Sequence, residues 1–172
     1  TNAGSFKPDL VWIKNRGSGT NYNVLTDSVR GIQKELYSNA TSVETTPSLS
    51  GGVSAFNSNG FTLNNSNNDY NGAYNYVGWQ WQAGQGTTSS GTGTGGITSV
   101  TQSVSTTAGF SIVTYTGSGS AGTVTHGLGV APKMVIVKCR STIASWIVGS
   151  SSLTNWANFL YLNLTNAQTA SA

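Results

Sequence analysis

The sequence predicts an all-β fold of antiparallel β-sandwich or jelly-roll-like repeats, present as two incomplete copies joined by a Gly/Ser/Thr linker. Three observations carry this expectation. No stretch keeps a 3.6-residue apolar period over three turns, so helix is minor. Short runs rich in Val, Ile, Thr and aromatic residues recur between Gly, Asn, Ser and Pro, the punctuation of antiparallel sandwiches. Charged residues make up only 8% of the chain, against about 25% in an average domain, and Gly, Ser, Thr and Asn fill the difference. With 37% hydrophobic and 10% aromatic residues the chain can bury a core. It lacks the high charge of a disordered segment.

The chain repeats itself at an offset of 124 residues. Residues 6–16, FKPDLVWIKNR, read as a strand entered from a turn, with Pro8 just outside it, where a missing N–H costs no ladder bond. Residues 126–140, HGLGVAPKMVIVKCR, have the same construction around Met134-Val135-Ile136-Val137, a continuous apolar run that reads as a buried strand. The offset carries Pro8 onto Pro132, Val11 onto Val135, Lys14 onto Lys138 and Arg16 onto Arg140. It also carries Tyr22 onto Trp146, Val24 onto Val148, and residues 36–41 onto 160–165.

The two copies are cut differently. The first continues through Phe56, residues 60–63 and residues 74–81; the second is preceded by residues 109–115, for which the first has no counterpart. The division expected is a first β-module over 1–82 (the later part of a repeat), a low-complexity linker over 83–104, and a second β-module over 105–172 (the earlier part of a repeat). The chain thus reads as a window on a longer polypeptide, or as a mature product whose units are completed elsewhere.

Taken in order, residues 10–14 are strand-like and 15–19 a turn. Residues 23–26 form the next strand, 27–31 a helical turn or an irregular connection, and 35–39 a short extended piece. Pro47 and Gly51-Gly52 mark 41–52 as a loop. Residues 56–63 form two extended pieces around an Asn59-Gly60 tight turn, the strongest local hairpin signal. The run 64–71 is a polar loop whose side chains can satisfy their own backbone. Over 74–82, alternation places Val77, Trp79 and Trp81 on an apolar face expected to be core, and Tyr74, Tyr76, Gln80 and Gln82 on an exposed or interface face. Residues 83–96 read as flexible linker, and 97–107 as either an edge strand or more linker. Residues 110–115 are a strand, 116–122 a glycine-rich loop, and 144–150 an extended piece with Trp146 and Val148 on one face; 159–164 follow. The expected core is Trp12, Trp79, Trp81, Trp146, Phe61, Phe110, Val135 and Val137.

The residues also limit function. Eight Lys and Arg against five acids form no basic stripe, so nucleic acid is not an expected partner. No apolar run approaches the ~20 residues of a membrane-spanning helix. Cys139 is alone and reads as an ordinary small residue at a strand end. The sequons at Asn39 and Asn163 read as turn chemistry. Catalysis needs a paired acid and base or a nucleophile with its base. Asp9, Asp27, Glu35, Glu44 and Asp69 are not brought together by local spacing, and His126, the one histidine, sits in a Gly-flanked turn. No ligand cluster for a metal is evident. The expectation is a non-enzymatic protein with no cofactor and no metal.

Two binding roles follow from the same composition. Tyr70, Tyr74 and Tyr76 lie amid Asn67, Asn68, Asn71 and Asn75, the stacking rings and neutral hydrogen-bonding groups that recognise sugars. The competing reading makes the tyrosines a sheet cover and the asparagines turn residues. A neutral, strand-rich surface with few charged gatekeepers favours edge pairing or subunit contact instead.

The motifs FKPDLVWIKNR, LYSNATS, the Ser54-Ala55-Phe56-Asn57-Ser58-Asn59-Gly60-Phe61-Thr62-Leu63 run, YVGWQWQAG and GFSIVTYTGSGSAGTVTHGLGVAPKMVIVK occur in an order covering nearly the whole chain. In that order the chain resembles the repeated β-rich modules of virion structural proteins from tailed bacteriophages, marine and cyanophage-like ones especially. The resemblance implies a tail-fibre, appendage or capsid-surface module, made in the bacterial cytoplasm and found in the virion. Its partners would be copies of itself and other virion proteins, with host-surface glycan as the alternative ligand. It brings no catalytic residues.

Overall fold

The computed structural model describes residues 4–46, 52–64 and 67–170, and these are all β-strand, turn and loop. Residues 47–51 of the loop expected over 41–52, and residues 65–66 of the polar run, lie outside the described residues. The first sheet has the order β3-β2-β1-β6, formed by β1 (Leu10–Asn15), β2 (Asn23–Asp27), β3 (Leu36–Tyr37) and β6 (Tyr76–Trp81). Both faces of this sheet are covered, which is why β1 and β2 carry apolar side chains on each of them. One face presents Val11, Ile13, Val24 and Tyr37 to the hairpin of β4 (Val53–Asn57) and β5 (Gly60–Leu63), where Val53, Phe56, Phe61 and Tyr70 complete the first core cluster. The hairpin turn falls on Ser58-Asn59, one residue before the Asn-Gly pair that signals it, and Gly60 closes it at φ 136°.

The other face gathers Leu10, Trp12, Leu25 and Leu36 around Trp146 and Leu162 of the second half. Trp146 is buried, and its Nε1–H donates to the Tyr37 carbonyl at 2.8 Å. A polar seam runs beside this contact. Glu44 N–H donates to the Arg140 carbonyl at 2.9 Å, Ala144 N–H to Thr41 O at 3.1 Å, and the Arg140 guanidinium to both oxygens of Glu44 at 3.0 and 3.1 Å. Arg30, buried between Asp27 and Glu44, carries the ion-pair chain inward.

Residues 97–107 contain β8 (Thr98–Ser105), which is the middle strand of a sheet between β7 (Ser89–Ser90) and β9 (Phe110–Thr116). The low-complexity stretch before it is anchored by Asp9. This fully buried carboxylate accepts the backbone N–H of Ala83, Gln85 and Gly86, each at 2.7 Å, and the Ser28 hydroxyl at 2.7 Å. Ser103 of β8 reaches the same carboxylate at 3.4 Å and accepts from Gly84 N–H at 2.9 Å.

The second half forms a sheet β10-β11-β12-β13 from Met134–Val137, Ile147–Ser150, Asn158–Tyr161 and Thr169–Ala170. Its first three strands follow one another as β1, β2 and β3 do. Leu10 faces Asp27 and Met134 faces Ser150; Val24 faces Tyr37 and Ile147 faces Tyr161. Identical pairing therefore sets β10 and β12 at the 124-residue offset but β11 at 123, so Val148 occupies the place of Leu25 rather than that of Val24. A one-residue slip exchanges the faces of a strand; Trp146, just before β11, packs on the first half.

Three expected core residues lie at the surface. Trp79 is 46% exposed, Val135 40% and Val137 38%. Trp79 packs against Trp12 with ring centroids 5.7 Å apart and the planes tilted at 60°, but β6 is an edge strand and leaves the far side of the indole open. The faces of β6 are also not divided as expected, since Tyr76, on the side expected to be exposed, packs in the first core cluster. Trp12, Trp81, Phe61 and Phe110 are half-buried, with Trp81 stacked on Phe110 at 6.1 Å.

Candidate interaction surface

An exposed apolar run centres on β10. Pro132 and Lys133 precede the strand and Lys138 follows it, leaving Met-Val-Ile-Val with no charge, proline or bulge of its own. Met134 is 61% exposed and every other β10 residue more than a third exposed. Beside it lies a groove of about 640 Å³, walled by β9, β10, residues 124–128 and the Leu10, Leu25, Leu36 and Trp146 side chains. Four consecutive exposed apolar residues on an edge strand form a template for pairing with another chain, and the adjoining groove supplies area to bury.

The charges around this surface are set by packing. Burial lowers the Lys138 ammonium, whose Nζ donates to the Cys139 and Thr41 carbonyls at 2.7 and 3.3 Å. Cys139 is exposed, and hydrogen bonding from Thr142, then from the Ser141 and Thr142 backbone, lowers its thiol to about 6. His126 lines the groove, its Nδ1 accepting from Leu128 N–H at 3.2 Å.

The sugar-binding candidates do not form one open patch. Tyr70 is 2% exposed and part of the first core cluster. Tyr76 is half-buried and its hydroxyl is fully engaged, donating to Asn68 O at 2.9 Å and accepting from Gly72 N–H at 2.8 Å. Tyr74 alone presents its ring, at 47% exposure, lying across Gly17 so closely that a Cβ there would meet Cδ1 at 2.9 Å. A polar run hid this burial: among the exposed Asn67, Asn68 and Asn71, Tyr70 turns inward and packs with Val53 and Phe61.

The carboxylates are likewise dispersed. Asp27 pairs with Arg30, Glu44 with Arg30 and Arg140, and Asp69 accepts from Asn21 and from Tyr22 N–H. For Glu44, burial alone would raise the carboxyl, but the Arg140 and Arg30 guanidinia outweigh it and hold it below the ordinary range. Among the described residues no three metal-ligating side chains converge.

Glu35 differs. It is buried, Tyr37 donates to its Oε2 at 3.1 Å, and burial pushes its carboxyl above the ordinary 4.5 and the Tyr37 phenol up to about 12. A folded-state value above the unfolded one means the folded chain binds the proton more tightly. Stability is therefore lost as pH rises from about 4.5 through the raised value. Glu35→Gln keeps an acceptor for Tyr37 and cannot ionise. Thermal unfolding at pH 5 and pH 7 is expected to show the variant gaining on the parent at pH 7; an equal difference at both values would contradict it.

A family model described as a domain of unknown function, DUF7483, matches residues 1–172. No curated protein and no solved structure matches the chain.

Proposed function

The chain belongs to the DUF7483 family, and from its surfaces we propose a non-enzymatic structural module of a bacteriophage virion, of the tail-fibre, appendage or capsid-decoration kind, that acts through subunit assembly. The observation that carries the assembly part is β10: a four-residue apolar strand, exposed and at a sheet edge, beside an apolar groove. Burying such a strand is favoured at about 25 cal/mol per Å² of apolar area, and a sparsely charged surface opposes association weakly. The virion setting rests on the resemblance in motif order. Host-glycan recognition is the weaker reading, because of its three tyrosines only Tyr74 offers a ring.

The test is sedimentation velocity over a concentration series. The parent chain is expected to associate, and Val135→Lys with Val137→Lys is expected to shift it to a folded monomer, since each lysine places a charge on the surface to be covered. A parent chain that stays monomeric at every concentration sinks the proposal.

A further inference from the structure

Glu35 sits where the first half meets the segment that reaches across to the second. Its backbone N–H and C=O pair with Thr45 at 2.9 and 3.0 Å, a single bridge outside the named strands. The residue is 2% exposed, and its two carboxyl oxygens differ. Oε2 accepts from the Tyr37 hydroxyl at 3.1 Å, and that hydroxyl lies 3.0 Å from Thr45 Oγ1. Oε1 is buried against Gly52, so closely that a side chain there would collide with it, and it has no hydrogen-bond partner among the described residues. The charged groups around it are committed elsewhere. Arg30 bonds Asp27, Glu44 Oε2 at 3.2 Å and the Leu25 and Lys34 carbonyls, and Lys34 donates to Thr46 Oγ1 at 2.7 Å. Asp69 adds negative potential, and Tyr70 a second buried phenol. A neutral carboxyl suits this site. A carboxylate with one donor, out of water, is costly until water reaches it.

We infer that Glu35 is a proton-operated latch between the halves: its neutral carboxyl keeps the segment 41–46 on β3, and its carboxylate opens the Glu35–Thr45 bridge and releases the polar seam. Two sides of the site could yield. Opening toward Gly52 would draw Val53, 1% exposed, out of the first core cluster. Opening toward Thr45 breaks one bridge, and residues 41–45 are only half-buried. The second route is the easier, and it leads to the seam. Thr41 O accepts from Ala144 N–H at 3.1 Å and from Lys138 Nζ at 3.3 Å, and Glu44 meets the Arg140 guanidinium and carbonyl. Lifting the segment removes these contacts together, while the Trp146 cluster keeps the halves joined. What is freed is their relative orientation. Because burial raises the carboxyl, the latch is closed near pH 4.5 and opens as pH rises through the raised value. The device goes beyond the assembly reading and does not rest on it, although the half it releases carries β10.

The test is hydrogen exchange of the full chain, read amide by amide by NMR from pH 5 to pH 8, with each rate divided by the intrinsic rate at that pH. Local opening shows as lost protection at the amides it frees. The reporters are the N–H groups of Glu35, Thr45, Glu44 and Ala144, each bonded across the bridge or the seam. Their protection is expected to fall together, at least about tenfold for each pH unit by which the folded carboxyl is raised and then passed. The amides of β1 and β2 are expected to hold theirs, which separates the latch from global unfolding. Glu35→Gln keeps an acceptor for Tyr37 and carries no charge, so its four reporters stay protected at every pH. Tyr37→Phe removes the donor to the carboxylate and moves the midpoint of the fall to higher pH, an effect that a purely structural role for Glu35 does not produce. It also serves if the glutamine variant does not fold. Protection in the parent that is flat with pH overturns the latch. So does a fall that survives in Glu35→Gln, or a midpoint that Tyr37→Phe leaves in place.

Discussion

Asp9→Ala is expected to lower the unfolding free energy by about 3–5 kcal/mol, near the upper end for a single substitution. The carboxylate is the one acceptor for three backbone N–H groups of residues 83–86 and for the Ser28 hydroxyl, all within 2.7 Å. Alanine would leave buried donors unsatisfied, each at about 1–3 kcal/mol. Asparagine separates geometry from volume. One carboxylate oxygen meets only N–H donors, from Ala83 and Gln85; the other meets Gly86 N–H and the Ser28 and Ser103 hydroxyls. Hydroxyls can turn and accept, whereas N–H groups cannot. The amide introduced by Asp9→Asn therefore settles with its nitrogen on the hydroxyl side and loses chiefly the Gly86 bond. Urea unfolding should rank the parent above Asp9→Asn and Asp9→Ala lowest; an alanine variant within about 1 kcal/mol of the parent would refute the clamp.

The clamp also shows what a linear reading of this chain can reach. Strands were legible wherever local pattern suffices: the Phe110 run, the Asn-Gly hairpin signal and the Leu10 and Met134 segments are all strands in the structure. Burial was not. A continuous apolar run such as Met134–Val137 signals a strand that can be covered on both faces, but the cover comes from elsewhere in the chain. Among the described residues β10 has a strand partner on one edge only. β8 was nearly invisible for the opposite reason. Its buried positions are Val100 and Ser103, and the serine is held there by bonds to Gly84 and Thr87, which sequence spacing does not show. Asp9 meets residues 74 to 94 positions away, a separation no local pattern encodes. The exposure of β10 was not anticipated, because its continuous apolar run read as core.

The contact between the two halves gives the second large effect. Trp146→Ala deletes a buried indole from a cluster formed with Leu25, Leu36, Leu10 and Trp12, and removes the donor from the Tyr37 carbonyl. Truncation of a buried aromatic costs about 3–5 kcal/mol. The polar seam beside it cannot replace that. Arg140 is largely exposed, and a solvent-exposed ion pair contributes about 0–1 kcal/mol. The backbone bonds from Glu44 and Ala144 contribute about 1 kcal/mol each and only while the chains stay aligned. Apolar burial, then, holds the halves together, and the seam fixes their orientation. Trp146→Phe keeps most of the buried area and loses the N–H, so about 1–2 kcal/mol is expected. Arg140→Ala should cost less than about 1 kcal/mol. For Trp146→Ala the loss should also change the shape of the transition: with the shared cluster gone, urea unfolding is expected to broaden or divide in two, the apparent m value falling as the halves unfold separately. A single sharp transition with an unchanged m value would mean that the halves are coupled through the β8–β9 sheet, and would move the weight of cohesion from Trp146 to the Asp9 clamp.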